Sequence, residues 1–228
     1  IDPTNAAAHY NLGIVYKDQK KWPEAAAAFG DAAKFDATNP ALKYELGSAF
    51  LEAGKLEEAK AQFELAIKAD TKLYKAHYRL GTVLEKQDKL KEADKEYRSA
   101  IETNPRFVQA YLRLGNLYLD NDYDKEAAQV FQNAILANEN DGEAHYGLGE
   151  ARQKQGQREE AIKAFQTAYK LNSDLYLAVY NIGHLYRLNG DKKSAREWLE
   201  KFNKHYSGRG GPELAKAVSD ELYALDAQ

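Results

Sequence analysis

The side chains able to do chemistry are few in kind. The 228 residues hold no cysteine and no methionine, so disulfides, thiolate metal ligands and cysteine nucleophiles are excluded. Three of the five histidines, His9, His77 and His145, are evenly spaced, which raises the question of a shared metal ion. Asp120, Asp122 and Asp124 alternate like the start of a calcium loop. Such a loop takes glycine at its sixth place and a carboxylate at its twelfth, where this chain has Lys125 and Phe131; the three acids read as a solvated turn at a helix N-terminus. The run Gly208–Gly211 lacks the lysine and the preceding strand of a phosphate loop, and Gly54-Lys55 is followed by Leu56 rather than Ser or Thr. What remains is charge at helical spacing. Lys75, Arg79 and Arg113 are cations suited to a carboxylate. No catalytic residue, no metal ligand and no cofactor is expected, and the chain reads as a non-enzyme.

Those residues sit on a clock. Gly13, Gly47, Gly81, Gly115, Gly149 and Gly183 follow one another in equal steps of 34 residues. A glycine inside a helical pattern costs about 0.8–1 kcal/mol relative to alanine, so six in register demand a packing reason, a close approach of two helices. Ala25, Ala59, Ala93, Ala127, Ala161 and Ala195 keep the same period, as do Phe29, Phe63, Tyr97, Phe131, Phe165 and Leu199. The alanine series Ala32, Ala66, Ala100, Ala134 and Ala168 ends in Phe202. The histidines occupy one position of this period in alternate blocks. Neighbouring helices pack about 8–10 Å apart, so residues two hairpins apart are separated by roughly 20 Å or more and cannot share an ion. They read as aromatic fillers.

Within each block the apolar spacing is 3, 4 and 7, the helical period, and no strand pattern occurs. Polar turns such as Gln87-Asp88-Lys89 and Asn121-Asp122-Tyr123 divide a block into two helices, and Asn39-Pro40 and Asn104-Pro105 divide one block from the next. The predicted organisation is 6–39, 40–73, 74–107, 108–141, 142–175 and 176–209, six helical hairpins, followed by a helix within 210–228 whose Leu214, Val218, Leu222 and Leu225 cover the last apolar face. Residues 1–5 match the tail that closes the third block, Thr103 to Phe107, and read as the end of an upstream repeat or a linker of a longer protein.

The fourth block carries Tyr111, Leu114, Gly115, Tyr118, Ala127, Phe131 and Ala134, and the third carries His77, Leu80, Gly81, Leu84, Ala93, Tyr97, Ala100 and Pro105. This pattern resembles the tetratricopeptide repeat (TPR). Arg152 in place of an aromatic and Phe202 in place of a small residue are its mild departures. The resemblance implies an all-α fold, a right-handed α-solenoid (superhelix) of antiparallel helical hairpins. It also implies a concave groove lined by the outward stripe of each first helix. Carried over by position, that stripe holds Ala7, Asn11 and Ile14; Ala41, Glu45 and Ser48; Lys75, Arg79 and Thr82; Gln109, Arg113 and Asn116; Glu143, Gly147 and Glu150; Leu177, Asn181 and His184. Beside it runs a ladder of Tyr10, Tyr44, Tyr78, Tyr146 and Tyr180, interrupted by Leu112. The expected partner-binding residues are Lys75, Tyr78, Arg79, Gln109, Leu112, Arg113, Asn116, Tyr146, Glu150 and Asn181. Lys75 and Arg79 also match one pair of the chaperone-tail receptors of this family, but Tyr10, Ile14 and Glu45 stand where the other carboxylate-holding residues belong, and that subclass is rejected.

The implied function is a scaffold or adaptor that binds a protein or peptide, with an acidic segment suited to the central cations. A net charge of −3 with nearly balanced signs gives no case for nucleic acid, and no run approaches the roughly 20 apolar residues of a bilayer span. Three alternatives stay open. One is the recognition arm of a larger enzyme, such as a glycosyltransferase or phosphatase. Another is a bacterial outer-membrane lipoprotein assisting pilus or secretin assembly, anchored through an upstream part. The third is self-association as a homo-oligomer. The compartment is not read, with the cytoplasm the default.

Overall fold

The computed structural model describes residues 5–206 and 208–226. Residues 1–4 of the expected upstream tail, Ser207, and the final two residues, 227 and 228, lie outside the described residues. Among the described residues there are thirteen helices and no strand. In chain order they are α1 (Ala6–Asp18), α2 (Trp22–Phe35), α3 (Pro40–Glu52), α4 (Leu56–Ala69), α5 (Tyr74–Lys86), α6 (Leu90–Thr103), α7 (Val108–Asp120), α8 (Asp124–Ala137), α9 (Gly142–Lys154), α10 (Arg158–Leu171), α11 (Tyr176–Leu188), α12 (Lys192–Tyr206) and α13 (Gly211–Asp226). The fold is an all-α solenoid, in which helices pack chiefly on their sequence neighbours.

The local chemistry starts and stops these helices in two different ways. Asn5, Asn39 and Asp141 cap α1, α3 and α9 by accepting backbone N–H bonds from Ala8, Ala41 and Ala144. Helices α2, α4, α6, α8 and α10 lack a side-chain cap and instead carry acids in the first turn, Glu57 and Glu58 in α4 for example, where the dipole favours them. Between the two helices of each hairpin one residue takes a left-handed conformation: Lys20, Gly54, Asp88, Asp122, Gly156 and Gly190, with φ from 56° to 79°. The next N–H then reaches back to a carbonyl five residues earlier, as Lys55 does to Phe50 at 2.8 Å, which satisfies the helix end.

The packing reason for the helical glycines is a ring. A Cβ built on Gly81 would lie 2.7 Å from Tyr97, and one on Gly115 would lie 2.6 Å from Phe131. The large residue of each second helix therefore rests directly on the glycine of the first, and burying one such ring contributes roughly 2–3 kcal/mol.

The chain divides into two compact units, Ile1–Ala110 and Tyr111–Gln228. In the first, α1 to α6 stack in order around the fully buried Phe29, Phe63 and Tyr97. In the second, Phe131 and Phe165 are buried in the same way, and Val179, Leu199, Phe202, Val218 and Leu225 form a further cluster where α13 packs on α12 and α11. Phe202, the residue that breaks the alanine series, thus fills the space beneath the last helix.

Candidate functional site

In the first unit, α5 sets Lys75 and Arg79 one turn apart on a single face. Lys75 is exposed, its ammonium 6.0 Å from the Tyr74 ring centroid. Arg79 is half-exposed and donates to the Glu52 carboxylate at 3.2 Å. Glu45, which would by itself repel an acidic ligand, is held by Lys17 at 2.7 Å. Ser48 departs from the expected stripe. It is buried and its hydroxyl donates to the Tyr44 carbonyl one turn earlier at 2.8 Å.

The tyrosine ladder is a row of braces. Tyr10, Tyr44, Tyr78, Tyr146 and Tyr180 lean on Phe29, Phe63, Tyr97, Phe165 and Phe202, with ring centroids 5.7, 6.0, 5.9, 5.3 and 6.2 Å apart. Tyr78 also meets Phe107 edge-on at 5.2 Å. The ring bodies serve packing, and the Tyr146 and Tyr180 hydroxyls have partners within the chain.

Helix α7 runs across the division, so Gln109 belongs to the first unit and Leu112, Arg113 and Asn116 to the second. Gln109, Arg113, Asn116 and Asp120 are all exposed, while Leu114 and Gly115 on the opposite face are buried. Leu112 is half-buried against the Phe131 cluster.

Three expected residues come together in the second unit. Tyr146 and Glu150 lie one turn apart on α9 and share a hydrogen bond, and the Asn181 amide on α11 donates to the Tyr146 hydroxyl at 3.4 Å. Burial raises both the Tyr146 phenol and the Glu150 carboxyl, and the charge of nearby Asp120 pushes Glu150 the same way. Gly147, expected in the stripe, is instead buried against the Phe131 ring. That ring is held between Gly115 and Gly147.

The residues read from the sequence as fillers or solvated acids have polar partners. His77 Nδ1 pairs with Glu96 at 2.7 Å, and His145 Nε2 meets the Glu139 carbonyl at 3.1 Å. Lys154 reaches Asp122 at 2.9 Å and stands 3.9 Å from Asp124, so the acidic turn is tied to the next hairpin. Among the described residues no three His, Asp or Glu side chains form a group able to hold a metal ion, and no helix is long and apolar enough to cross a membrane.

One constellation escaped the sequence altogether. On α11, Tyr180, His184 and Arg187 converge on Glu221 of α13. The Tyr180 hydroxyl donates to Oε1 at 3.1 Å, His184 Nδ1 lies 2.6 Å from Oε1, and Arg187 Nε donates to Oε2 at 3.0 Å. Burial acts to raise the Glu221 carboxyl, but the hydrogen bonds and charges of His184 and Arg187 outweigh it and hold it below the ordinary value. The Tyr180 phenol is pushed up to about 12 by burial and by the Glu221 charge, so it stays a proton donor. The only signal in the sequence was the 4 and 3 spacing of Tyr180, His184 and Arg187, with nothing to point at Glu221.

Comparison with known families decides the identity. Four family models, each described as tetratricopeptide repeat, match residues 17–80, 78–144, 142–175 and 177–204. The chain belongs to the tetratricopeptide repeat family. Among solved structures, this TPR protein is similar to pilF of Pseudomonas aeruginosa, with a TM-score of 0.76, 16% identity, and 94% of this chain and 97% of that one covered. It is also similar to YrrB, described as a TPR protein with an unusual peptide-binding site (TM-score 0.69, 24% identity, 86% and 99% covered). MamA follows at a TM-score of 0.66, 22% identity, and 76% and 94% covered. At these identities the likeness is one of fold. No match occurs among curated protein sequences.

Proposed function

We propose that this TPR protein is a non-enzymatic scaffold that binds a protein or peptide through the outward stripe of its first helices. The observation that carries the reading is α7. One face is spent on packing through Leu114 and Gly115, while Arg113, Asn116 and Asp120 of the second unit stand exposed on the other. Polar groups carried on a helix need no backbone ordering on binding, which leaves only the side-chain cost of about 0.5–1.5 kcal/mol for each one immobilised. The family supports a protein partner over a small molecule, and YrrB offers a relative of the same fold whose description includes a peptide-binding site.

An acidic segment is the ligand chemistry that fits α5. Lys75 is exposed, and the half-exposed Arg79–Glu52 pair can exchange its carboxylate for that of a partner at small cost, because such surface pairs contribute only about 0–1 kcal/mol. Affinity capture from the source lysate, read by mass spectrometry, tests this with Arg79→Glu and Arg113→Glu as separate variants. A partner retained by the wild type is expected to be lost from at least one variant, with far-UV circular dichroism unchanged. Full retention by both variants would move the binding surface off the α5 and α7 stripes.

A further inference from the structure

The clasp on Glu221 has the make-up of a ligand site that is already filled. Tyr180, His184 and Arg187 offer a hydroxyl, an imidazole and a guanidinium, and all three converge on one carboxylate within 3.1 Å. Carboxylate recognition by several directed donors, one of them charged, is among the stronger polar arrangements available to a protein. The three residues follow a spacing of four and three along α11 and so form one continuous strip. They lie on the face that also bears Asn181 and His184 of the expected stripe.

The occupant is joined to the array differently from the helices before it. The twelve preceding helices alternate within hairpins joined by short turns, whereas α13 follows a glycine-rich connection that includes Gly208, Arg209 and Gly210. Val218 and Leu225 are the buried residues of α13, against three in α12 and six in α3, while α1 at the other end buries Gly13 alone. Leu214 and Leu222 are half-buried, Tyr223 is three-quarters exposed, and half-exposed Arg196 pairs with exposed Asp226. Glu221 stands three residues after Val218 and four before Leu225, so the acid and its two anchors share one helix face.

We infer that the Tyr180–His184–Arg187 strip is a carboxylate-recognition site for an amphipathic partner helix, and that α13 is its built-in occupant. The partner it fits carries an acid with apolar residues three positions before and four positions after, which is the pattern α13 itself presents. Binding of such a helix displaces α13, whose shallow seat makes the exchange feasible. The inference rests on the reading that the first-helix face is the binding face, and adds to it the chemistry and the gate of the terminal hairpin.

Binding in trans tests it on the full chain. The probe is a fluorescein-labelled synthetic peptide of residues 211–226, made also in a form with glutamine at the place of Glu221. The chain is wild type or opened by Val218→Lys, Glu221→Gln and Leu225→Lys together. The opened chain is expected to bind the peptide at least about tenfold more tightly than the wild type does, and to prefer the glutamate peptide over the glutamine form by at least about tenfold, since hydrogen bonds to a charged group are lost with the carboxylate. Equal binding of the two peptides, or wild-type binding as tight as that of the opened chain, overturns the proposal. If the opened chain fails to fold, amide exchange in the single variant Glu221→Gln decides. Faster exchange along α13 with α9 and α10 unchanged upholds the clasp, and unchanged α13 exchange refutes it. Arg79→Glu and Arg113→Glu leave α11 intact, so loss of partner capture there and failure of peptide binding here are separate results.

Discussion

Replacing Gly115 by alanine sets two well-measured effects against each other. By propensity alone the change stabilises a helix interior by about 1 kcal/mol. In this structure the new methyl would sit 2.6 Å from Phe131 Cζ and 2.7 Å from Cε1, well inside contact distance. A ring tip can often swing away, but Phe131 is 1% exposed and the same Cε1 and Cζ atoms also meet Gly147, so α7 and α9 both confine the ring tip. Overpacking of this kind costs about 1–3 kcal/mol, and the blocked retreat places it in the upper half, about 2–3 kcal/mol. The net expectation is a loss of about 1–2 kcal/mol. Urea unfolding followed by circular dichroism measures it, with amide exchange on α7 and α8 to localise the effect, because repeat arrays need not unfold in one step. Phe131→Leu in the Gly115→Ala background should recover part of the loss, giving a favourable coupling of at least about 0.5 kcal/mol. A Gly115→Ala chain as stable as the wild type, or more so, refutes the close-approach reasoning for the whole glycine series.

Gly30, also inside a helix but with nothing within 4 Å of a built Cβ, is the internal control: Gly30→Ala should raise the urea midpoint, by an amount equivalent to about 0.5–1 kcal/mol. The carboxyl of Glu150 is raised by burial, so its folded-state value exceeds its unfolded one and stability is lost as pH rises from the ordinary value of 4.5 through the folded value. Glu150→Gln is therefore expected to be more stable than the wild type at pH 7, with the advantage shrinking towards pH 4; an advantage independent of pH would contradict the burial argument. Glu221 has the opposite sign. Its lowered carboxyl contributes stability above 4.5 that disappears as pH falls through the folded value, so exchange along α13 should quicken on acidification while α9 stays protected.

The period of six glycines, their alanines and their large partners was enough to read an all-α solenoid of hairpins, because helical spacing and steric fit are local properties that a sequence carries in its order. The polar turns were legible too, but not the left-handed residue within them, which Lys20, Asp88 and Asp122 supply without the glycine that would have announced it. The outward stripe was legible only in part. Gln109, Arg113 and Asn116 are exposed as their phase on the helix requires, but Ser48 and Gly147 share that phase and are buried, Gly147 against the Phe131 ring of the preceding hairpin. Pairings across helices lay further out of reach. Lys17 with Glu45, Arg79 with Glu52, and above all Tyr180, His184 and Arg187 with Glu221 depend on where long side chains end in space. Spacing along one helix determines a face. Which charge from another helix arrives at that face is decided by the packing of side chains distant in the chain, and only the tertiary structure contains it.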